Sequence, residues 1–200
     1  MYDIDDLKNL VDMAAGGRSP ADLLITNAKL VDVLTGEIRE TDVSVGGGKI
    51  LGFSHTEAVK VVDARGAYLL PGLIDAHIHI ESSMVSPARF AGLVLPHGTT
   101  SVVADPHEIA NVHGLEGIRY MLENGRHLPL NIFIALPSCV PATPFEDSGA
   151  VLSAEELEEL IDDPKVTGIG EMMNFPGVCF GDDKVWAKLA AAKDKVITGH

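Results

Sequence analysis

The spacing of apolar positions changes character twice along the chain. Between Asp3 and Ala15, residues Ile4, Leu7, Leu10, Val11 and Ala14 recur at three- and four-residue intervals, which puts them on one helical face. Gly16-Gly17 and then Ser19-Pro20 stop that pattern, so residues 1–20 are expected to form a helical arm. From Asp22 to Leu70 the apolar residues come in short β-prone runs, LLITNAKLVDVL, DVSV, KILGF and KVVDA, separated by Gly36, Gly46-Gly47-Gly48 and Gly66. Residues 21–70 are expected to be a small β-sandwich-type composite domain.

A third regime opens at AYLLPGLIDAHIHI and fills residues 71–200. Near-continuous apolar strands are predicted at Leu69 to Ile80, Thr99 to Ala104, Asn131 to Leu136, Val166 to Met172 and from Val196 onward. Between them lie helical patterns within Pro87 to Leu95, roughly Gly114 to Asn124, Ala154 to Ile161 and about Asp183 to Lys193. Ser153 is the expected N-cap of the third, with Glu156 three residues on. Strands apolar on both faces and joined by helices mean a parallel sheet, so the fold class is α/β. A closed eight-stranded barrel needs about 250 residues. If the sheet is of that kind, these residues supply the first five strands of a partial TIM (β/α)8 barrel.

Composition restricts the partners. An apolar content of 46% is ample for a buried core, while 15 Lys and Arg against 29 Asp and Glu give a net charge of −14. That charge repels phosphate backbones and anionic lipid heads, so neither nucleic acid nor a membrane is an expected partner. The two cysteines, Cys139 and Cys179, are too few and too far apart for a disulfide framework or a thiolate metal knuckle, which suits a reducing, cytoplasmic setting. The acidic start MYDIDDLKNL does not read as a secretory signal, and no run approaches 18 apolar residues, so a soluble, unprocessed chain is expected. Gly46-Gly47-Gly48 precedes a short strand and lacks the lysine of a phosphate loop, so it reads as a β-turn.

The chemistry gathers at strand ends. His77 and His79, at i and i+2 on the first barrel-type strand, point to one face and can share a metal. Functional groups in parallel α/β folds collect at the C-terminal ends of strands. There the second strand carries Asp105, His107 and Glu108, the fourth Glu171 and the fifth His200. Imidazoles with carboxylates suit Mn²⁺, Fe²⁺ or Zn²⁺, and the natural class is a metal-dependent hydrolase. Asp105, His107 and Glu108 either line the pocket or hold an accessory metal, or else only brace their strand. Glu81, Ser82 and Ser83 are placed to bond a substrate edge, with helix capping the equal alternative for Ser82 and Ser83. His55, His97, His113 and His127 read as solvated or capping side chains. Pro137, Pro141 and Pro144 read as stiffening the loop around Cys139, which has no base beside it in sequence to make it a nucleophile.

The run PGLIDAHIH resembles the PGxIDxHxH first strand of the amidohydrolase superfamily, and the preceding β-module resembles that superfamily's composite domain. More narrowly, HIHIESS, PHGTTSVVADPHEIANV, PSCVPATPFEDSGA and GIGEMMNFPGV, in this order and spacing, resemble the bacterial and archaeal adenine deaminases from about Ala21 to the last residue. The resemblance implies hydrolysis of adenine to hypoxanthine and ammonia at a binuclear site of two divalent metals, Mn²⁺ or Fe²⁺ with Zn²⁺ a third option. It matches His77 and His79 to the ligand pair of one metal, Glu171 to the bridging, catalytic carboxylate and His200 to the second metal. Glu171 stands where many superfamily members have a carboxylated lysine, in agreement with the deaminase subfamily. A strand-six histidine and a strand-eight aspartate, the expected acid-base group, fall outside these residues. The chain is therefore expected to be the N-terminal part of such an enzyme, inactive alone and homo-oligomeric when whole. Another cyclic-amide hydrolase and a non-catalytic metal-binding fragment are the alternatives.

Overall fold

The computed structural model describes residues 3–16, 19–54, 56–143 and 145–200. Gly17, at the expected end of the first helix, His55 and Pro144 lie outside the described residues. The chain separates into two compact units, Met1–Pro71 and Gly72–His200.

In the first unit, α1 (Ile4–Ala14) starts at Asp3, whose carboxylate accepts the Asp5 N–H at 2.9 Å, and Asp5 and Asp6 complement the positive end of the helix dipole. Leu10 and Met13 lie over the Gly46-Gly47 turn, where an added Cβ would collide with them. The sheet has the order β3-β2-β1-β4, built from β1 (Ala21–Val31), β2 (Ile38–Gly46), β3 (Lys49–Gly52) and β4 (Ala58–Asp63), with the short β5 (Tyr68–Leu69) also on β1. β1 pairs antiparallel with β2 and parallel with β4 and β5, so the sheet is mixed. A register shift between Ile25 and Ala28 on β1 coincides with a left-handed Asn27 at φ 54°. The Asn27 N–H donates to the Asp42 carboxylate and its carbonyl accepts the Gly66 N–H, which satisfies the groups that the bulge removes from the ladder, and its side-chain amide donates to Asp63.

The second unit contains a five-stranded sheet in sequential order, β6 (Leu73–Ile78), β7 (Thr99–Ala104), β8 (Asn131–Leu136), β9 (Val166–Met172) and β10 (Val196–Gly199), with every neighbour parallel. Helices α2 (Pro87–Val94), α3 (His107–Gly125), α4 (Ala154–Glu158), α5 (Phe175–Phe180) and α6 (Asp183–Ala190) provide the crossovers. Val102, Ile132, Ile134, Leu136 and Ile169 of the strands are buried against Phe90, Ile118, Met121, Leu157 and Ile161 of the crossovers. Each such side chain contributes about 1.5–3 kcal/mol on burial. This is the curled, parallel half-barrel expected from the alternation of strands and helices.

Several boundaries differ from the expected ones. The first barrel strand is shorter than 69–80, because Tyr68–Leu69 pairs with β1 and Ile80–Ser83 winds into a 3-10 turn. α3 begins at His107 rather than Gly114, and Gly114 is a break within it (φ 62°, ψ −144°) that only glycine adopts readily. The break folds Gly117 onto the Ile109 carbonyl, where a Cβ would stand 2.8 Å from the oxygen. α4 has the expected capping box of Ser153 and Glu156 but ends at Glu158, and α6 ends at Ala190. α5, not anticipated, is capped by the Asn174 side chain and stopped by left-handed Gly181.

Asp163 joins the end of α3 to the entry of β9. Its Oδ1 accepts the Lys165 N–H at 2.8 Å and its Oδ2 accepts from Arg126 Nη2 at 2.6 Å. Burial pushes the Asp163 pKa up, but these bonds outweigh it and hold the carboxyl below its ordinary value. A lowered folded pKa stabilises the fold above the unfolded value and ceases to do so as pH falls through the folded one. Asp163→Asn should therefore cost about 1–2 kcal/mol at pH 7, and the gap to the parent should close below about pH 4, as read by denaturant unfolding. Among the described residues, β6 and β10 each have a single strand neighbour, and Val196 and Ile197 of β10 are largely exposed. The 200-residue chain alone should therefore self-associate with rising concentration, whereas a monodisperse monomer by light scattering would contradict this.

Candidate metal centre

Because β6 to β10 run in one direction, their C-terminal ends share a rim, and the ionisable residues singled out in the sequence lie along it. His77 is in β6 and His79 directly follows it. The two Nε2 atoms are 3.2 Å apart, with ring planes at 82°. His79 Nδ1 lies 2.8 Å from the Asp105 carbonyl oxygen, which can only accept, so Nδ1 carries the proton and Nε2 presents its lone pair. Two nitrogens converging in this way are favourable only around a proton or a cation.

Glu171, near the end of β9, meets them. Its Oε1 is 2.8 Å from His77 Nε2, and its Oε2 is 3.8 Å from His79 Nε2 and 3.4 Å from His107 Nδ1. The carboxylate is buried, at 8% exposure for the residue. His107 opens α3 and lies beside Asp105, at 3.5 Å between Nδ1 and Oδ1. Glu108 reaches His79 Nδ1 at 3.6 Å and His107 Nε2 at 3.9 Å. The Asp105 carboxylate raises the His107 pKa against the opposing effect of burial, with Glu108 and Glu171 adding to the rise. Burial also pushes the Glu81 carboxyl up.

These contacts define three overlapping sets of donor atoms, each within 4.8 Å of one another: His77, His79 and Glu171; His79, His107 and Glu108; and Asp105, His107 and Glu171. Their fit to a divalent cation rests on what the protein leaves unsatisfied. Both carboxylate oxygens of Asp105, Nδ1 of His107, Oε2 of Glu108 and Oε2 of Glu81 are buried with no hydrogen-bond partner. An unpaired buried carboxylate costs several kcal/mol, and a cation shared among these acceptors offsets that cost. Nitrogen and oxygen donors of this kind suit Mn²⁺, Fe²⁺ or Zn²⁺.

The remaining candidates are less central. Glu81 accepts the Ile109 N–H at 3.3 Å, and Ser82 donates to Glu108 Oε1 at 3.0 Å, so both support the start of α3 and its acidic side chain. Ser83 bonds the Ile80 carbonyl of its own turn. His200 is exposed one residue beyond Gly199, which pairs with Met172, and it belongs to none of the three donor sets. Cys139 is buried, and its sulfur accepts the Met173 N–H at 3.3 Å, a bond that ties the loop after β8 to the end of β9. Ser138 has no distinguishing signal in the sequence, yet its hydroxyl donates to the Glu171 carbonyl oxygen at 2.8 Å. Gly170 was equally unmarked. A Cβ there would overlap the Asp105 carboxylate, so the absence of a side chain is what lets β9 lie close to Asp105. Gly170→Ala should cost about 1–3 kcal/mol of stability, read by thermal unfolding. Unchanged stability would show that Asp105 is free to move aside.

Comparisons with known proteins give the same frame. The model of the amidohydrolase family matches residues 68–200. An adenine deaminase of Nitratidesulfovibrio vulgaris (strain DP4) is 61% identical over 97% of this chain and 34% of its own length. One from Oleidesulfovibrio alaskensis is 52% identical over 94% of this chain and 33% of its own length. The chain thus spans about a third of the length of the curated relatives that it matches. Among solved structures, the zinc complex of atrazine chlorohydrolase from Arthrobacter aurescens TC1 superposes with a TM-score of 0.54 at 19% identity, over 72% of this chain and 45% of that one. Among the described residues, no helix is long and apolar enough to cross a membrane.

Proposed function

This chain belongs to the amidohydrolase family, and from that premise we propose that it is the N-terminal part of an adenine deaminase, which hydrolyses adenine to hypoxanthine and ammonia in purine salvage. The observation that carries the reading is the convergence of His77, His79 and Glu171 on one point at the sheet rim. The identity of 61% to an adenine deaminase over nearly the whole chain supports the choice of substrate. The domain division that accompanies it is a helical arm over 1–20, a composite β-domain over 21–70 and the first part of the barrel over 71–200. A cytoplasmic, homo-oligomeric enzyme with no nucleic-acid or membrane partner completes the proposal.

In this reading His77 and His79 would hold one of two divalent metals, Glu171 would contribute to both and His200 would serve the second. Mn²⁺ or Fe²⁺ is the expected metal, with Zn²⁺ as the third option. When bound, such metals would supply Lewis acidity and a lowered water pKa. The chain's own residues prepare the site. Asp105, through its carbonyl, fixes the His79 tautomer so that Nε2 faces the centre. Burial of Glu171 keeps its oxygens away from water and aimed at the two imidazoles. His107, Asp105 and Glu108 line the adjoining pocket or hold an accessory cation, and Glu81 and Ser82 anchor the turn from which a purine edge is reached.

The test uses the full-length enzyme that contains these residues. Ammonia release from adenine, with none from hydantoin or dihydroorotate, is the expected outcome, and the reverse preference would assign a different cyclic-amide hydrolase. His77→Ala should abolish stoichiometric metal uptake, measured by elemental analysis, and Glu171→Gln should remove one ion of the pair. Full metal content in both variants would refute the ligand assignment.

A further inference from the structure

We propose that Ser138 is a positioning residue that sets the orientation of Glu171 from behind, through the main chain of β9. The inference rests on Glu171 as a metal ligand and adds the element that aims it. On its β8 side the ladder of β9 ends with the pair Leu136 and Ile169, so the segment that carries Glu171 is paired there only with β10, through Gly199 and Met172. A strand end with a neighbour on one side only opens more readily than one held on both, so a tie on the β8 side steadies the side chain that it carries.

The dipeptide after β8 supplies that tie. The Ser138 hydroxyl donates to the Glu171 carbonyl oxygen at 2.8 Å, and two residues on, the Met173 N–H donates to the Cys139 sulfur at 3.3 Å. Main-chain groups on either side of Met172 are therefore held by adjacent side chains, as one more rung of the sheet would hold them. Ser138 is itself fixed, since Lys188 of α6 donates to its carbonyl oxygen at 2.9 Å. Both Ser138 and Glu171 are buried, at 2% and 8% exposure, so water is poorly placed to replace the lost bond. Ser138 belongs to none of the three donor sets, and because its hydrogen bond to Glu171 is made to the carbonyl oxygen, its effect passes through the backbone of residue 171.

The consequence is a change in metal affinity rather than in metal chemistry. Supporting residues behind a ligand typically contribute about 10–100-fold to metal affinity. In the full-length enzyme, Ser138→Ala should weaken Mn²⁺ binding by about that factor in a chelator competition, while Ser138→Thr, which keeps the hydroxyl, should restore it. Added to Glu171→Gln, Ser138→Ala should produce no further loss, because the ligand that it positions is already gone. Should Ser138→Ala not fold, Ser138→Cys, which keeps the size and weakens the donor, is read in its place. A lowered melting temperature with Mn²⁺ affinity within twofold of the parent would reduce Ser138 to a structural role and overturn the proposal. If Glu171→Gln weakens Mn²⁺ binding and Ser138→Ala does not, positioning alone fails. If Glu171→Gln leaves Mn²⁺ binding intact, the ligand assignment fails, and the positioning role with it.

Discussion

Carboxylates buried with too little compensating positive charge govern the second unit. Neither oxygen of Asp105 makes a hydrogen bond, the His107 ring standing off at 3.5 Å, and Glu171 is buried beside it against three histidines. Negative charge in such a place is destabilising unless positive charge compensates it, and imidazoles supply that only when protonated. The surroundings are therefore those of a site that is complete with a cation. Both the nitrogens of His77 and His79, facing each other at 3.2 Å, and the raised pKa of His107 are consequences of the same shortage of positive charge.

Everything that holds these groups together comes from the sheet and its crossovers. Parallel neighbours bring the ends of β6, β7 and β9 to one rim, although their residues are as much as 94 positions apart between His77 and Glu171. The Asp105 N–H donates to the Ile78 carbonyl at 3.0 Å, so β7 is tied to β6 between the two histidines. Behind the rim, the apolar layer of Val102, Ile134, Leu136 and Ile169 against Ile118, Leu157 and Ile161 sets the strands at close-packed distances. Gly170 is the point at which that packing and the site meet, because its missing side chain is the space that Asp105 occupies.

The break at Gly114 has a similar double role. It divides α3 so that the first turns, with His107 and Glu108, stay at the rim while the remainder lies along the sheet and buries Ile118, Met121 and Leu122. A continuous helix would have to choose between these directions. Glu81 and Ser82, reaching from the turn after β6, fasten the leading segment at the Ile109 N–H and at Glu108. Two elements separated in sequence thus share responsibility for one acidic side chain near the histidines.

The sequence alone determined the elements with strong periodicity and the kinds of ionisable residue that gather at the strand ends. Alternation of apolar strands with helices specified a parallel sheet, and parallel strands place their ends together, so His77, His79, Asp105, His107 and Glu171 were legible as neighbours before any distance was known. The capping box at Ser153 was legible because it is a local bond between residues three apart. The start of α3 was not, since the first turns are joined to the rest across the Gly114 break and are fastened by Glu81, which accepts the Ile109 N–H from 28 positions away. Ser138 and Gly170 could not be read at all. Their importance lies in which backbone or carboxylate stands opposite them in space, 33 residues away for Ser138 and on β7 for Gly170. Periodicity and composition carry information about an element's own faces, whereas the contact across two elements is decided only when the core packs and fixes the register between them.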